Sequence, residues 1–141
     1  MALPTKLTLE IVTPDRALVN EQVDEVELPG SEGYFGVLPA HSPLLASLQV
    51  GELWYRIGNE KHFLSVAFGF VEVLPEHVTV LARLAEKAQD IDVARAEAAK
   101  KRAEERVAKY PHPDIDFERA RVALMKSLIR LQVASRARTR A

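Results

Sequence analysis

The residues best suited to chemistry are a carboxylate and several cations near residue 92. Asp92 and Arg95 are three residues apart, which places them on one face of a helix, and Arg102 follows two turns further along. A second helix can bring Lys126 and Arg130 to the same side. A carboxylate beside several cations can hold a purine edge and a chain of phosphates without a glycine-rich loop. The alternative is an ion pair between Asp92 and Arg95 at the start of the helix, and the sequence leaves both interpretations open.

A second candidate for chemistry is the glycine series Gly30, Gly33 and Gly36. Glycine lets backbone amides approach an anion, so the series suggests a phosphate cradle. Such a loop needs a helix N-terminus behind it and usually a lysine, whereas Pro39 and Pro43 follow here. The spacing therefore favours glycines that serve tight turns.

His41 lies between these two prolines, and a histidine in a loop can act in catalysis or ligate a metal. The other histidines, His62, His77 and His112, are scattered, and the chain has no cysteine. Neither a Gly-x-Ser-x-Gly nor a His-Glu-x-x-His motif is present, which argues against an independent enzyme. The sequence predicts no metal site and favours a subunit contact for His41.

The chain changes character at about residue 84. Residues 1–84 hold all six glycines and six of the eight prolines, with five Lys/Arg against eleven Asp/Glu, a net charge of −6. Residues 85–141 hold fourteen Lys/Arg against nine Asp/Glu, a net charge of +5. The sequence therefore predicts two domains, 1–84 and 85–141, with different roles.

Residues 1–84 have the short apolar alternation of β-strands bounded by turn formers. Leu7, Leu9 and Ile11 share one face of a strand, and Gly58-Asn59 forms a plausible tight hairpin between two later strands. Many short strands at this spacing predict a sandwich or barrel. The later strands are expected at Leu53 to Ile57, Phe63 to Ala67, Phe70 to Leu74 and Val78 to Leu84.

From Asp90 onward the period becomes that of a helix, with Asp90 as the expected N-cap and Asp92 in the first turn. The prolines at 111 and 113 end this helix, and a second one is expected to begin near Asp114. The product is an antiparallel hairpin. The first helix offers the stripe Ala96, Ala99, Ala103 and Val107, and the second the inner face Phe117, Ala120, Leu124, Leu128 and Leu131.

This hairpin should be only marginally closed. A leucine in place of each alanine would stabilise the closed hairpin by roughly 2 kcal/mol more per position, because each buried CH₂ contributes about 0.8 kcal/mol. Two helices of about 19 and 23 residues would reach roughly 60 Å if the turn straightened. A weakly closed hairpin of that reach is a candidate two-state element.

The composition also limits which partners and which cellular compartment we expect for this chain. No run of about 18 apolar residues exists to enter a membrane, and the N-terminus lacks a signal-peptide pattern. The absence of cysteine fits a reducing compartment. The basic hairpin invites a nucleic-acid interpretation, but acidic residues are interspersed and only Tyr110 and Phe117 are available to stack on bases. We therefore expect no nucleic-acid partner.

Three segments carry a resemblance to a known family: GSEGYFGVLPAHSP at residues 30–43, VGEL at 50–53 and IDVARA at 91–96. With these segments the chain resembles the epsilon subunit of bacterial F-type ATP synthases, and the resemblance covers essentially the whole chain. It implies an α+β fold, in which a ten-stranded antiparallel β-sandwich precedes a two-helix hairpin. It also implies a non-catalytic rotor component at the cytoplasmic face of the membrane, bound to the gamma subunit and touching the c-ring.

The resemblance further implies a regulatory site for ATP on the folded hairpin, with no cofactor required. Ile91, Asp92, Arg95 and Ala96 match the family's nucleotide motif, and Lys126 stands where those relatives have arginine. That lysine cannot form the bidentate fork of an arginine, which weakens the expected affinity. The remaining matching positions are Glu86, Arg102 and Arg130.

Contacts with other subunits are implied as well. Some relatives carry an acidic residue at the position of Tyr34, so the c-ring contact of this chain must differ in detail, and His41 lies in the same segment. An extended hairpin would reach the alpha/beta catalytic hexamer and restrain ATP hydrolysis. The cations expected to meet carboxylates there are Arg119, Arg121, Lys126 and Arg130.

The competing interpretation is a stand-alone nucleotide-binding sensor. It predicts stabilisation of the chain by ATP and the absence of any partner that co-purifies with it.

Overall fold

The computed structural model describes residues 2–139, with side chains through Ala137. Contacts between Cα atoms divide the chain into two compact units, Met1–Lys87 and Ala88–Ala141. No helix among the described residues is both long enough and apolar enough to cross a membrane.

The first unit consists of eight β-strands. The strands are β1 (Leu7–Val12), β2 (Ala17–Val23), β3 (Glu25–Gly30), β4 (Gly33–Val37), β5 (Leu44–Leu48), β6 (Gly51–Ile57), β7 (Glu60–Leu74) and β8 (His77–Lys87). The longest of them, β7, pairs with β6 along its first half and with β5 along its second half, while β8 follows its other edge.

The predicted ten antiparallel strands are corrected to eight strands of mixed direction. The alternation suggests separate strands at Phe63 to Ala67 and Phe70 to Leu74, but one strand covers both. Phe68 and Gly69 have φ of 63° and 127°, so the chain bends there and remains paired with β8. All other pairs are antiparallel, but β1 and β8 run parallel. Six strands separate them in sequence, so no helical crossover is needed.

The core of this unit is built from the alternating apolar positions. Leu7, Leu9 and Ile11 are fully buried, as the alternation predicts, and Gly58 turns the β6–β7 hairpin with φ of 61°. The buried cluster draws all its members from the strands or their immediate flanks within residues 7–82. The sandwich therefore has a hydrophobic core of its own.

Tyr55 is the one buried aromatic side chain of this core, and it stacks on His62 with ring centroids 4.9 Å apart. Burial, and then the nearby Glu21 carboxylate, raise the pKa of its phenol from 10.0 to about 12. A raised pKa means that the protonated phenol stabilises the folded state below pH 10, and that this contribution is lost as the pH rises towards 12.

Tyrosinate absorbance in an alkaline titration should therefore show a late phase from Tyr55. The phenol of Tyr55 should ionise near pH 12. Tyr55→Phe should remove this late phase and leave the rest of the absorbance change in place. A late phase that persists in Tyr55→Phe would contradict this assignment.

The second unit is a pair of helices, α1 (Val93–Ala108) and α2 (Phe117–Thr139), preceded by a short 3-10 helix, Ala88–Asp90. The longer α2 contacts both α1 and the 3-10 helix that precedes it, which requires α2 to run back antiparallel to α1. At the loop between them the rings of Tyr110 and Phe117 lie 4.6 Å apart. The predicted helical hairpin is confirmed.

The helices meet through small side chains that recur every seven residues. On α1 the buried residues are Ala96 and Ala103, and on α2 they include Ala120, Ser127 and Ala134. We call these five residues the seam. A repeat of seven keeps one face of each helix towards its partner, and small side chains let the two backbones approach closely.

The predicted inner face of α2 needs one correction. Leu128 is 44% exposed, whereas its neighbour Ser127 is buried. The hydroxyl of Ser127 can be buried because it donates to the carbonyl oxygen of Leu124 at 2.9 Å. Periodicity alone places the leucine inside, but the close approach at the seam favours the smaller side chain.

Candidate functional site

Asp92 lies at the N-terminus of α1 and caps this helix. Asp92 is the N-cap, with φ of −78° and ψ of 101°, and its carboxylate accepts a hydrogen bond from the backbone N–H of Arg95 at 3.1 Å. The expected N-cap, Asp90, instead belongs to the 3-10 helix. Among residues 2–139 no ion pair joins the side chains of Asp92 and Arg95, so the alternative of a simple helix-start ion pair is not what forms.

The predicted nucleotide residues fall into distinct environments. Ile91 and Ala96 are buried. Asp92, Arg95 and Arg102 are exposed on or just before α1. Lys126 and Arg130 are half-buried on α2 and engage other groups. Glu86 lies in β8 and therefore in the first unit.

The four residues predicted to contact the catalytic hexamer also differ from one another. Arg121 forms a two-pronged ion pair with Glu118, with its Nη2 3.0 Å and its Nε 3.2 Å from carboxylate oxygens. The hydrogen bond from Arg121 lowers the pKa of Glu118, and the same pair raises the pKa of Arg121. Arg119 donates its backbone N–H to Asp116, but its guanidinium pairs with no carboxylate among residues 2–139.

A groove of about 380 Å³ lies at the loop end of the helix pair. It brings Arg106 of α1 and Arg119 of α2 to the same opening, with Ala120 in its lining. Asp116, another lining residue, caps α2 through the N–H of Arg119 at 3.1 Å. The lining of this groove shows that the end of α1 lies beside the start of α2.

The structure places Tyr34 at one end of the sandwich. Its ring is half exposed, but its hydroxyl accepts a hydrogen bond from the backbone N–H of Glu52 at 3.0 Å. Gly51 makes room for this contact, since a Cβ there would lie 2.5 Å from the Tyr34 hydroxyl. The tyrosine thus ties β4 to the start of β6.

His41 lies at the opposite end of the sandwich. Its loop is held by the N–H of Ala40, which donates to the carbonyl oxygen of Pro75 at 2.8 Å, in the turn between β7 and β8. Strand β5 runs from this end towards the turn between β3 and β4, a span of about 13 Å for five residues. The sequence motif of residues 30–43 therefore supplies two separate surfaces, and Tyr34 and His41 do not form one site.

One surface was not anticipated from the sequence. Leu45, Phe70 and Leu81 are 73%, 57% and 54% exposed, and they lie on adjacent strands β5, β7 and β8. Phe70 is paired directly with Leu81, and Leu45 lies diagonally from Phe70 on the same face. We call these three residues the outer apolar stripe. The signal was present in β7, where Val71 and Val73 are buried while Phe70 is not.

A cavity of about 610 Å³ opens beside this stripe. Its lining includes Phe70, Leu81, the bend at Gly69 and the exposed Arg83. No three His, Asp or Glu side chains come together as metal ligands would among residues 2–139. The prominent features of the first unit are thus apolar surfaces suited to protein contacts.

Family models match both units in sequence. The beta-sandwich domain of the ATP synthase delta/epsilon chain matches residues 6–88, and its long alpha-helix domain matches residues 89–135. The chain belongs to the ATP synthase delta/epsilon chain family. Curated relatives agree: the ATP synthase epsilon chain of Syntrophobacter fumaroxidans is 50% identical and that of Nitratidesulfovibrio vulgaris 49% identical, each over 93% of this chain and 97% of the relative.

Solved structures share the fold. A chain of the mitochondrial ATP synthase of Euglena gracilis, from a cryo-EM structure of OSCP, F1 and c-ring, matches 99% of this chain and 84% of its own length. Its TM-score is 0.79 at 21% identity. A chain from the central stalk and c-ring of the Tetrahymena thermophila mitochondrial enzyme matches with a TM-score of 0.55 at 15% identity, over 96% of this chain and 98% of its own. The resemblance to epsilon subunits of F-type ATP synthases is confirmed, and with it a non-catalytic subunit.

Proposed function

We propose that this chain is a rotor subunit of a proton-translocating F-type ATP synthase at the cytoplasmic face of a bacterial membrane, where it couples the gamma subunit to the c-ring. Membership of the family supports this role, as do relatives named epsilon chains whose sequences are about 50% identical to this one. The observation that carries the proposal is the outer apolar stripe, because monomeric proteins rarely expose a contiguous apolar patch without a partner.

The gamma subunit is the partner proposed for the outer apolar stripe. Phe70 and Leu81 stand next to each other across two strands, and the adjoining cavity offers space for a side chain of the partner. Aromatic and aliphatic anchors in such pockets supply most of the binding energy of protein interfaces. The loop around His41 would extend the gamma contact at one end of the sandwich.

The c-ring contact is assigned to the opposite end, at the turn between β3 and β4. Tyr34 would present the exposed part of its ring there, since its hydroxyl is held by the backbone of Glu52. A ring can pack against a partner but cannot replace a carboxylate in an ion pair. This accounts for a c-ring contact without an acidic residue at that position.

The second unit is proposed to regulate ATP hydrolysis by switching between compact and extended states. Its seam is made of alanine and serine, which bury little apolar area for each residue. A partner or ligand with a modest preference for one state can therefore shift the populations. In the extended state Arg119, Arg121, Lys126 and Arg130 would meet carboxylates of the alpha/beta hexamer.

ATP is the ligand proposed to favour the compact state. Arg95 and Arg102 are exposed on α1, and Lys126 and Arg130 stand on α2, so phosphates could bridge the two helices. Asp92, Ile91 and Ala96 complete the proposed site on the second unit. Asp92 would act mainly by fixing the N-terminus of α1, because its carboxylate already caps that helix.

Removal of residues 88–141 tests the regulatory role. The shortened chain should fold, since its buried core lies within residues 7–82, and should still bind gamma. ATP hydrolysis by the reconstituted complex should rise about twofold or more, because an inhibited state that holds half of the complexes halves the rate.

The full-length chain, reconstituted with the same gamma and catalytic subunits, is the control. Equal stoichiometry of both forms in the complex must be verified, so that a rate change reflects the missing helices. An unchanged rate of hydrolysis at equal stoichiometry would remove the regulatory role and leave the coupling role.

A further inference from the structure

A carboxylate interrupts the outer apolar stripe of the sandwich. Glu72 follows Phe70 by two residues on β7 and precedes Leu74 by two, and all three side chains are exposed. The residues that alternate with them, Val71 and Val73, are fully buried. Because side chains alternate between the two faces of a strand, Glu72 lies on the same face as Phe70. An acidic residue therefore stands between two large apolar ones on this face.

The strands on both sides of β7 provide no partner for this carboxylate. The register neighbour of Glu72 is Leu45 on β5 and Thr79 on β8. Among residues 2–139, no cation lies within ion-pair distance of Glu72. Glu10, which is level with Thr79 on β1, differs, because its carboxylate lies 3.5 Å from Nε2 of His77. In the described part of the chain, Glu72 is thus an unpaired charge beside apolar side chains.

A cation stands further along the same face. On β8, Leu81 pairs in register with Phe70, and Arg83 follows it by two residues, with the buried Ala82 between them. The side chains of Phe70, Leu81 and Arg83 line the same cavity. Arg83 is exposed, and no carboxylate of residues 2–139 is within ion-pair distance of its guanidinium.

Along β8 this face therefore presents three kinds of chemistry in a fixed order. The acidic level at Thr79 comes first, the apolar level at Leu81 second and the cation at Arg83 third. At about 3.3 Å per residue, the two charged levels are roughly 13 Å apart. Both charges lie within reach of a single partner that covers the outer apolar stripe.

An entirely apolar partner would fit this face poorly. It would remove water from the Glu72 carboxylate and offer no hydrogen bond in return, which opposes binding. A cation on the partner compensates for the lost water, because an ion pair with good hydrogen-bond geometry stabilises both charges. The same reasoning applies to Arg83 and a carboxylate of the partner.

We propose that the gamma subunit meets this face with a cation, an apolar side chain and a carboxylate, in that order along β8, and that this order fixes the orientation in which gamma docks. Gamma turned end to end would set its cation against Arg83 and its carboxylate against Glu72, and both contacts are repulsive. Glu72 and Arg83 thereby determine specificity, while Phe70 and Leu81 supply the apolar anchors. The proposal rests on the proposed function, in which gamma binds the outer apolar stripe.

Glu72→Leu distinguishes the two kinds of gamma surface by the sign of its effect. If gamma supplies a cation, the variant leaves that cation unpaired in the interface and should weaken binding by about tenfold or more. An apolar gamma surface would instead bind the variant more tightly than the parent chain, because no unpaired charge is buried. Biolayer interferometry of the full-length variants with the gamma subunit of the same complex measures the affinity, and circular dichroism confirms each fold.

Arg83→Glu tests the other end of the order. It places a like charge opposite the proposed carboxylate of gamma and should weaken binding by about tenfold. Glu32→Leu is the matched control, because Glu32 is exposed and lies in the turn between β3 and β4, at the end of the sandwich assigned to the c-ring. The control should change the affinity by less than about twofold.

The outcomes separate this inference from the gamma role itself. Weaker binding in both Glu72→Leu and Arg83→Glu, with Glu32→Leu unchanged, supports the inference. Tighter binding of Glu72→Leu, a loss confined to one variant, or unchanged affinity in both overturns the inference and leaves the gamma role. A parent chain that does not bind gamma overturns both.

A second copy of this chain is the other partner that the test must separate from gamma. Two copies turned end to end would set Glu72 of one against Arg83 of the other, so the order of charges is also complementary to itself. Sedimentation equilibrium of the parent chain at the concentrations used for binding should show a monomer. A dimer that both Glu72→Leu and Arg83→Glu dissociate would assign the face to self-association and overturn the inference.

Discussion

Replacement of Gly69 by alanine should reduce the free energy of unfolding of the sandwich by about 3 kcal/mol or more. Gly69 has φ of 127°, a conformation that costs other residues about 1–3 kcal/mol. The new Cβ would also lie 2.1 Å from the carbonyl oxygen of Leu81 and 2.9 Å from the Cα of Ala82. Both are backbone atoms of the paired strand, so they cannot move aside without breaking the β7–β8 ladder.

Thermal and urea unfolding followed by β-sheet circular dichroism measure this loss. Gly36→Ala is the matched control, because Gly36 lies in a strand, has no strained φ and has open space around its Cβ position. Its stability should stay within about 1 kcal/mol of the parent chain. If the two alanine variants unfold at the same urea concentration, the bend at Gly69 does not require glycine.

Phe70→Glu or Leu81→Glu should weaken binding of the gamma subunit by roughly thirtyfold or more. Each change places a carboxylate in the centre of the outer apolar stripe, where an interface anchor is worth about 2 kcal/mol or more and 1.4 kcal/mol is a factor of ten. Both side chains are more than half exposed in the free chain, so the substitutions should leave its folding intact.

Biolayer interferometry with the gamma subunit of the same complex gives the affinity, and circular dichroism of each variant confirms its fold. Leu3→Glu is the control, since Leu3 is 75% exposed and lies outside the sheet. It should bind gamma as the parent chain does. Full affinity in both stripe variants would mean that gamma uses another face of the sandwich.

Alternation of side chains was sufficient to predict the inner face of several strands. Leu7, Leu9 and Ile11 are buried as predicted, because a strand has a period of two whatever its neighbours are. The same rule did not reveal the exposed apolar face of β7, because Phe70 and Val71 are both apolar and the alternation is lost there. Their separation into exposed and buried residues depends on which face the rest of the sheet covers.

Helix periodicity was similarly reliable for the existence of the two helices and less so for their details. The cap of α1 is Asp92 and not Asp90, because the chain makes a 3-10 turn before the helix begins. Ser127 is buried in preference to Leu128, because close approach of the helices selects small side chains. Neither choice is determined by propensity along a single helix.

The sequence by itself determined the family, the sandwich followed by two helices, and the residue types of the proposed sites, because local periodicity and motif spacing are properties of the chain alone. The tertiary structure decided that Tyr34 and His41 occupy opposite ends, that one bent strand replaces two, and that Arg106 and Arg119 line one groove. These outcomes depend on the register of the strands and of the helices, and packing between residues distant in sequence sets both registers.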